Sequence, residues 1–123
     1  MHYMSNCTYW LTPNNTILVL TLPKYYTWAE VDNWMEMLSQ ELDLCEHPVS
    51  VVFDFQKSTY IPNNVIKQTQ KSSLSSHPMI ASIILTNLSK THYAVLNMLR
   101  RLYPQNGNRW VITDTLEDVV AAV

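Results

Sequence analysis

Glycine is the scarcest feature of this chain, with one in 123 residues. That excludes a glycine-rich loop for phosphates, a dinucleotide fingerprint and a G-x-S-x-G nucleophile turn, all of which need backbone without a Cβ. Cysteine is nearly as rare: Cys7 and Cys45 are far apart and form neither a C-x-x-C pair nor a disulfide scaffold, so reduced thiols are expected. No apolar run approaches the ~18 residues that would span a bilayer, and MHYMSNCTYW has neither a basic start nor an apolar leader core. A cytoplasmic protein without a membrane span is the expectation. Charge is sparse too, and a net charge of -2 gives no general attraction to nucleic acid phosphates.

What is present is apolar and aromatic. An apolar share of 47%, with four Trp and seven Tyr, predicts one packed globular domain over 1–123. Pro48 to Ile66 organises the rest. Val49, Val51, Val52, Phe53 and Phe55 read as a strand buried on both faces of a parallel sheet, Asp54 stands at its end, and a polar loop leads to Pro62 at the start of a helix. Loops beyond the carboxyl ends of such strands usually carry function.

Before this strand, Thr8 to Thr12 and Thr16 to Leu22 read as a hairpin about Pro13-Asn14-Asn15, where asparagine tolerates positive φ. Thr27 and Glu30 form a capping box and Tyr26 and Val31 a hydrophobic staple, followed by the stripe Val31, Trp34, Met35, Leu38, Leu42 and Cys45. Six of the ten acids, Glu30, Asp32, Glu36, Glu41, Asp43 and Glu46, ride on this helix with no Lys or Arg among them. A solvated helix face accounts for them; an acidic docking surface is the alternative.

After Pro62, a helix through about Ser76 buries only Val65, Ile66 and Leu74, an unusually thin stripe. Met79 to Leu85 is another strand. Ser89 caps a helix whose inward stripe is His92, Val95 or Leu96, Leu99 and Leu102 or Tyr103, with Arg100 and Arg101 in its last turn. Gln105 to Asn108 turns into a strand Arg109 to Thr113, and Asp114 or Thr115 caps a closing helix. The fold class is therefore α/β in the order β-β-α-β-α-β-α-β-α. It implies right-handed crossovers and a mainly parallel sheet with an antiparallel edge hairpin, helices packed over it.

This order, with the segments VVFDFQKSTYIP, MIASIILTN and WVITDTLEDVVAAV, resembles the STAS or anti-sigma-factor antagonist family, whose fold is SpoIIAA-like. The likeness covers nearly the whole chain as a pattern of element order and apolar placement. Partner-switching members carry a phosphorylatable serine at the start of the second helix. Pro62, Asn63, Asn64 and Val65 occupy those places here, and asparagine cannot accept a phosphoryl group. The resemblance thus implies the scaffold and a protein-binding second helix without the covalent switch. Ser58 and Thr59 lie about four residues early, and their plain role is to satisfy backbone groups of the loop.

Asp54 also occupies a place similar to the phosphoacceptor of receiver domains, but the first parallel strand ends LTLPKYY and supplies no acids to hold Mg²⁺. Asp54 is instead expected to order its loop by accepting backbone N–H bonds. Cys45 and His47 have the wrong spacing for zinc, and Cys7, His77 and His92 supply no matching partner. Cys45 reads as a core thiol, His47 as a loop residue, His77 before Pro78 as a helix terminator and His92 as a hydrogen-bonded core histidine. No catalytic residue, cofactor or metal is expected. Trp10, Tyr25, Tyr26, Trp28 and Tyr60 are core, unless several face outward together as a ligand groove or dimer contact.

These features converge on a small non-catalytic STAS-like regulatory module. Its expected partner-binding residues are Ser58, Thr59, Tyr60, Asn63, Asn64, Lys67 and Lys71, in the loop and helix after the central strand. The alternative is a carrier or sensor of an apolar small molecule using the aromatic set. A homodimer is an open expectation from the edge hairpin.

Overall fold

The computed structural model describes residues 8–58, 60, 77–102 and 110–122. The expected second helix, with Asn63, Asn64, Lys67 and Lys71, lies outside these residues, as do Thr59, Cys7 and the turn Gln105 to Asn108. The described elements are β1 (Thr8–Trp10), β2 (Ile17–Thr21), α1 (Trp28–Asp43), β3 (Val49–Asp54), β4 (Ile80–Thr86), α2 (Lys90–Leu102), β5 (Trp110–Thr113) and α3 (Leu116–Ala122). They form an α/β fold on one five-stranded mixed sheet in the order β1-β2-β3-β4-β5. β1 is antiparallel to β2 and every other pair is parallel.

The hairpin turns through Asn15 at φ 56°, the positive value an asparagine side chain tolerates. The Leu11 N–H to Ile17 carbonyl bond (2.9 Å) closes it. α1 starts where the sequence predicts, because both bonds of its capping box are made. The Glu30 N–H donates to Thr27 Oγ1 and the Thr27 N–H to Glu30 Oε1, each at 3.3 Å. Two of the first-turn amides that a helix leaves unpaired are thereby satisfied, an arrangement worth about 1 kcal/mol.

Parallel register sorts the strands into rows on two faces. On one face, Leu18, Val51, Ile83 and Trp110 lie side by side, then Leu20, Phe53, Leu85 and Ile112. α1 packs there through Trp34, Leu38 and Leu42, and α2 through Leu96. The opposite face carries Ile17, Val19, Val52 and Ile84 and is covered by Val119 of α3 with Tyr9, Leu11 and Leu116. The last helix thus changes sides, giving β3 and β4 the double burial that their near-continuous apolar sequences require.

The amino end of the sheet is fastened by His77. The Met79 N–H donates to its Nδ1 (3.1 Å), so the ring hydrogen is on Nε2, which donates to Asp43 Oδ1 (2.8 Å). No described helix is long and apolar enough to cross a membrane.

Candidate functional site at the carboxyl edge of the sheet

On the α3 face, the strands end in a level polar row: Thr21, Asp54, Thr86 and Thr113 are register partners across β2, β3, β4 and β5. Asp54 is the hub. It is only 2% exposed, and its Oδ1 accepts from the Gln56 N–H (3.0 Å) and from Asn87 Nδ2 (2.9 Å). Its backbone carbonyl takes the Leu22 N–H, while the Phe55 N–H goes to the Thr86 carbonyl. One residue therefore ties down the chain as it leaves β2, β3 and β4. Asn87 reaches Asp54 from a left-handed backbone conformation, φ 59°. The loop-ordering role expected of Asp54 is made, with Asn87 as a further donor.

Nearby, burial first and the Asp54 carboxylate second push the Tyr9 phenol above its ordinary range. Thr86 is fully buried and its hydroxyl has no hydrogen-bond partner among the described residues. Ser58 is the same: its N–H bonds to the Phe55 carbonyl (3.0 Å), but among the described residues the hydroxyl has no bonding partner. The hydroxyl-to-backbone bond expected of Ser58 is thus not formed, and the side chain faces inward.

His92 joins the β3 loop to the start of α2. Its Nε2 lies 3.1 Å from the Tyr60 carbonyl, an atom that can only accept, so Nε2 carries the hydrogen. Nδ1 then accepts from Ser89 Oγ (2.7 Å), which itself accepts the His92 N–H (3.1 Å) as the helix cap. The ring also packs on Phe55, with centroids 4.8 Å apart. Burial pushes the imidazole below its usual range, against the smaller opposing pull of the Tyr60 carbonyl. His92 is the hydrogen-bonded core histidine that its stripe position predicts.

The lowered His92 pKa has a definite sign. As pH falls below the unfolded value of 6.5, the unfolded chain takes up a proton before the folded one does, so stability is lost toward the depressed folded pKa. Urea unfolding between pH 7.5 and pH 5, about the ordinary histidine range, should show this loss. A His92→Gln variant should flatten it; an unchanged slope would show that another group is responsible.

The aromatic set gathers at the same edge. Tyr60 meets Tyr25 and Tyr26 edge-on, each with centroids 5.6 Å apart, and Tyr26 leans on Trp34 at 5.5 Å. Tyr26 is buried, as its staple position predicts, whereas Tyr25 is 67% exposed. Lys24 Nζ lies 5.5 Å from the Tyr25 ring centroid. Trp10, Trp28 and Tyr60 are half-buried. Tyr60 is thus the expected site residue that the structure places beside exposed surface, and Tyr25, which the sequence offers only as one aromatic among several, is its neighbour.

The other candidates take plain roles. Cys45 is half-buried, donates to the Glu41 carbonyl (3.4 Å), and has its thiol pKa raised by burial and then by Glu41, which disfavours the thiolate. His47 is exposed beside the Pro48 carbonyl. Among the described residues no group of three His, Cys, Asp or Glu could hold a metal ion. A shallow, open depression of about 400 Å³ lies between β5 and α3, lined by Ile112, Thr113, Asp114, Asp118 and Ala121. No family model matches the chain and no curated protein matches it.

Proposed function

We propose that this chain is a STAS-like, cytoplasmic protein-interaction module of SpoIIAA-like fold. It binds a protein partner through the loop and helix that follow β3 and acts without catalysis of its own. The observation that carries this reading is the stitched carboxyl edge. Asp54 and His92 hold three successive loop starts in one arrangement, and Tyr25 and Tyr60 stand at its surface. Loops fixed in this way form a pre-organised platform, which lowers the ordering cost of association. The opening antiparallel hairpin, followed by parallel strands with helices packed over them, supports the scaffold. The rings pack on one another, which favours a docking surface over an open apolar-ligand groove.

Affinity capture from the native host, read by mass spectrometry, tests the proposal. A protein partner should be enriched on the wild-type chain and reduced several-fold, about 1 kcal/mol or more per hot-spot residue, on an Asn64→Ala, Lys67→Glu variant with an unchanged melting temperature. Equal capture by both chains would overturn the proposed surface. A co-purified apolar molecule in native mass spectra, with no partner, would favour the carrier reading instead.

A further inference from the structure

The strand ends at the carboxyl edge are level, and the segments beyond them share a pattern. Thr21, Asp54 and Thr86 are register partners on three adjacent parallel strands. Past these positions the chain reads Leu22-Pro23-Lys24, Phe55-Gln56-Lys57 and Asn87-Leu88-Ser89-Lys90. Each strand is thus succeeded within one turn of chain by a lysine. Neighbouring strands are about 4.8 Å apart, so the three strand ends that the lysines follow are spread over roughly 10 Å. All three are exposed.

Among the described residues none forms an ion pair with them. Residues 22–27, 55–60 and 87–90 contain no acid. Asp54, the one carboxylate of the row, is buried and engaged by Gln56 and Asn87. Glu30 is occupied in the cap of α1. The only contact of salt-bridge type among the described residues, the hydrogen bond from His77 to Asp43, involves none of these lysines. In a chain of net charge -2, whose acids concentrate on α1, three cations are therefore segregated at the edge where exposed Tyr25 and half-buried Tyr60 also lie. β5 breaks the pattern, since Thr113 is followed by Asp114.

We infer that Lys24, Lys57 and Lys90 form a cationic comb that receives an acidic, extended segment of the partner protein. Carboxylates at alternate positions meet the lysines, and an apolar side chain lies against Tyr25 and Tyr60. Alternate residues of an extended chain project to one side about 7 Å apart, a spacing that flexible lysine side chains on neighbouring strands can follow. The inference rests on the protein-partner reading above and adds the chemistry of the partner. Exposed lysines contribute mainly through long-range attraction, which salt screens, and the tyrosines supply the salt-insensitive remainder.

The test uses the full chain and a fluorescein-labelled peptide, Glu-Leu-Glu-Leu-Glu-Leu, with Gln-Leu-Gln-Leu-Gln-Leu as its neutral control, both read by fluorescence anisotropy. The acidic peptide should bind more tightly than the control, and its binding should weaken as salt is raised. A Lys24→Glu, Lys57→Glu, Lys90→Glu variant should lose about tenfold or more in affinity at unchanged melting temperature, and the triple arginine variant should retain binding. Equal binding of both peptides, or no effect of the triple glutamate variant, would overturn the comb. So would concentration-dependent growth in light scattering at low salt that the triple glutamate variant abolishes, because the occupant would then be the acidic helix of a second copy. Failure of the acidic peptide to bind, with host partner capture intact, overturns the comb alone. Lysine-dependent peptide binding with no captured partner supports the comb and removes the module reading.

Discussion

Replacing Leu38 by alanine is expected to lower the free energy of unfolding by about 2 to 5 kcal/mol, the range for a buried leucine whose cavity cannot fully collapse. Leu38 is fully buried at the centre of the α1 stripe, between Trp34 and Leu42 and against the β2 and β3 residues Leu18, Leu20, Val49 and Val51. Neighbours on two strands of a paired sheet have little freedom to move inward, which places the loss in the upper part of that range. Leu44, one residue past the same helix and 77% exposed, supplies the contrast. Leu44→Ala should stay within about 0.5 kcal/mol. Urea denaturation of the two variants measures the difference, and similar losses would show that α1 is not held to the sheet by this stripe.

Asp54→Ala is expected to cost about 1 to 3 kcal/mol and to loosen the carboxyl edge locally. The alanine removes one acceptor shared by two donors, the Gln56 N–H and the Asn87 side-chain amide, neither of which has another partner among the described bonds. Relief from burying a carboxylate offsets part of this loss. Asp54→Asn keeps an oxygen in the same place and should be milder, so the difference between the two variants isolates the acceptor. The adjacent register position gives the opposite sign. Thr86 buries a hydroxyl with no partner, and Thr86→Val should be neutral or stabilising by about 1 kcal/mol. Hydrogen exchange at Gln56, together with the unfolding curves, reads all three. Equal cost for Asp54→Asn and Asp54→Ala would remove the hub role.

The parts of this architecture that are legible in the sequence are those decided within a few residues. The start of α1 is one, because Thr27 and Glu30 satisfy each other over a single turn. The inward side of the same helix is another, since Trp34, Leu38 and Leu42 repeat at helical spacing. Asp54 as a loop organiser is half legible. Its bond to Gln56 is local, but its bond to Asn87 spans 33 positions and depends on β3 and β4 lying side by side. Comparable separations along the chain hide the bond between His92 and the Tyr60 carbonyl, and the ring contacts that tie Tyr25 and Tyr26 to Tyr60.

Ser58 is the reverse case. The sequence offers Ser58 as a loop residue that bonds backbone or meets a partner, yet packing at the strand end buries it completely. The change of face by α3 has no local signal either: Val119 settles against Ile17, Val19, Val52 and Ile84 because that side of the sheet needs an apolar cover, not because the helix sequence names a side. The lysine comb is written openly in the chain, but its teeth align only once register levels the strand ends.

Position across the sheet matches position along the chain, β1 to β5 without exception. During synthesis, each emerging strand can therefore dock on a neighbour already made, and none has to be threaded between two that are paired. Chains grow at roughly 5 to 20 residues per second, far slower than local helix formation. The sheet can thus lengthen one strand at a time, with a single growing edge. Apart from the short β1 edge, three residues long, only that growing edge is open to mispairing, and β5, only four residues long, closes the sequence of additions.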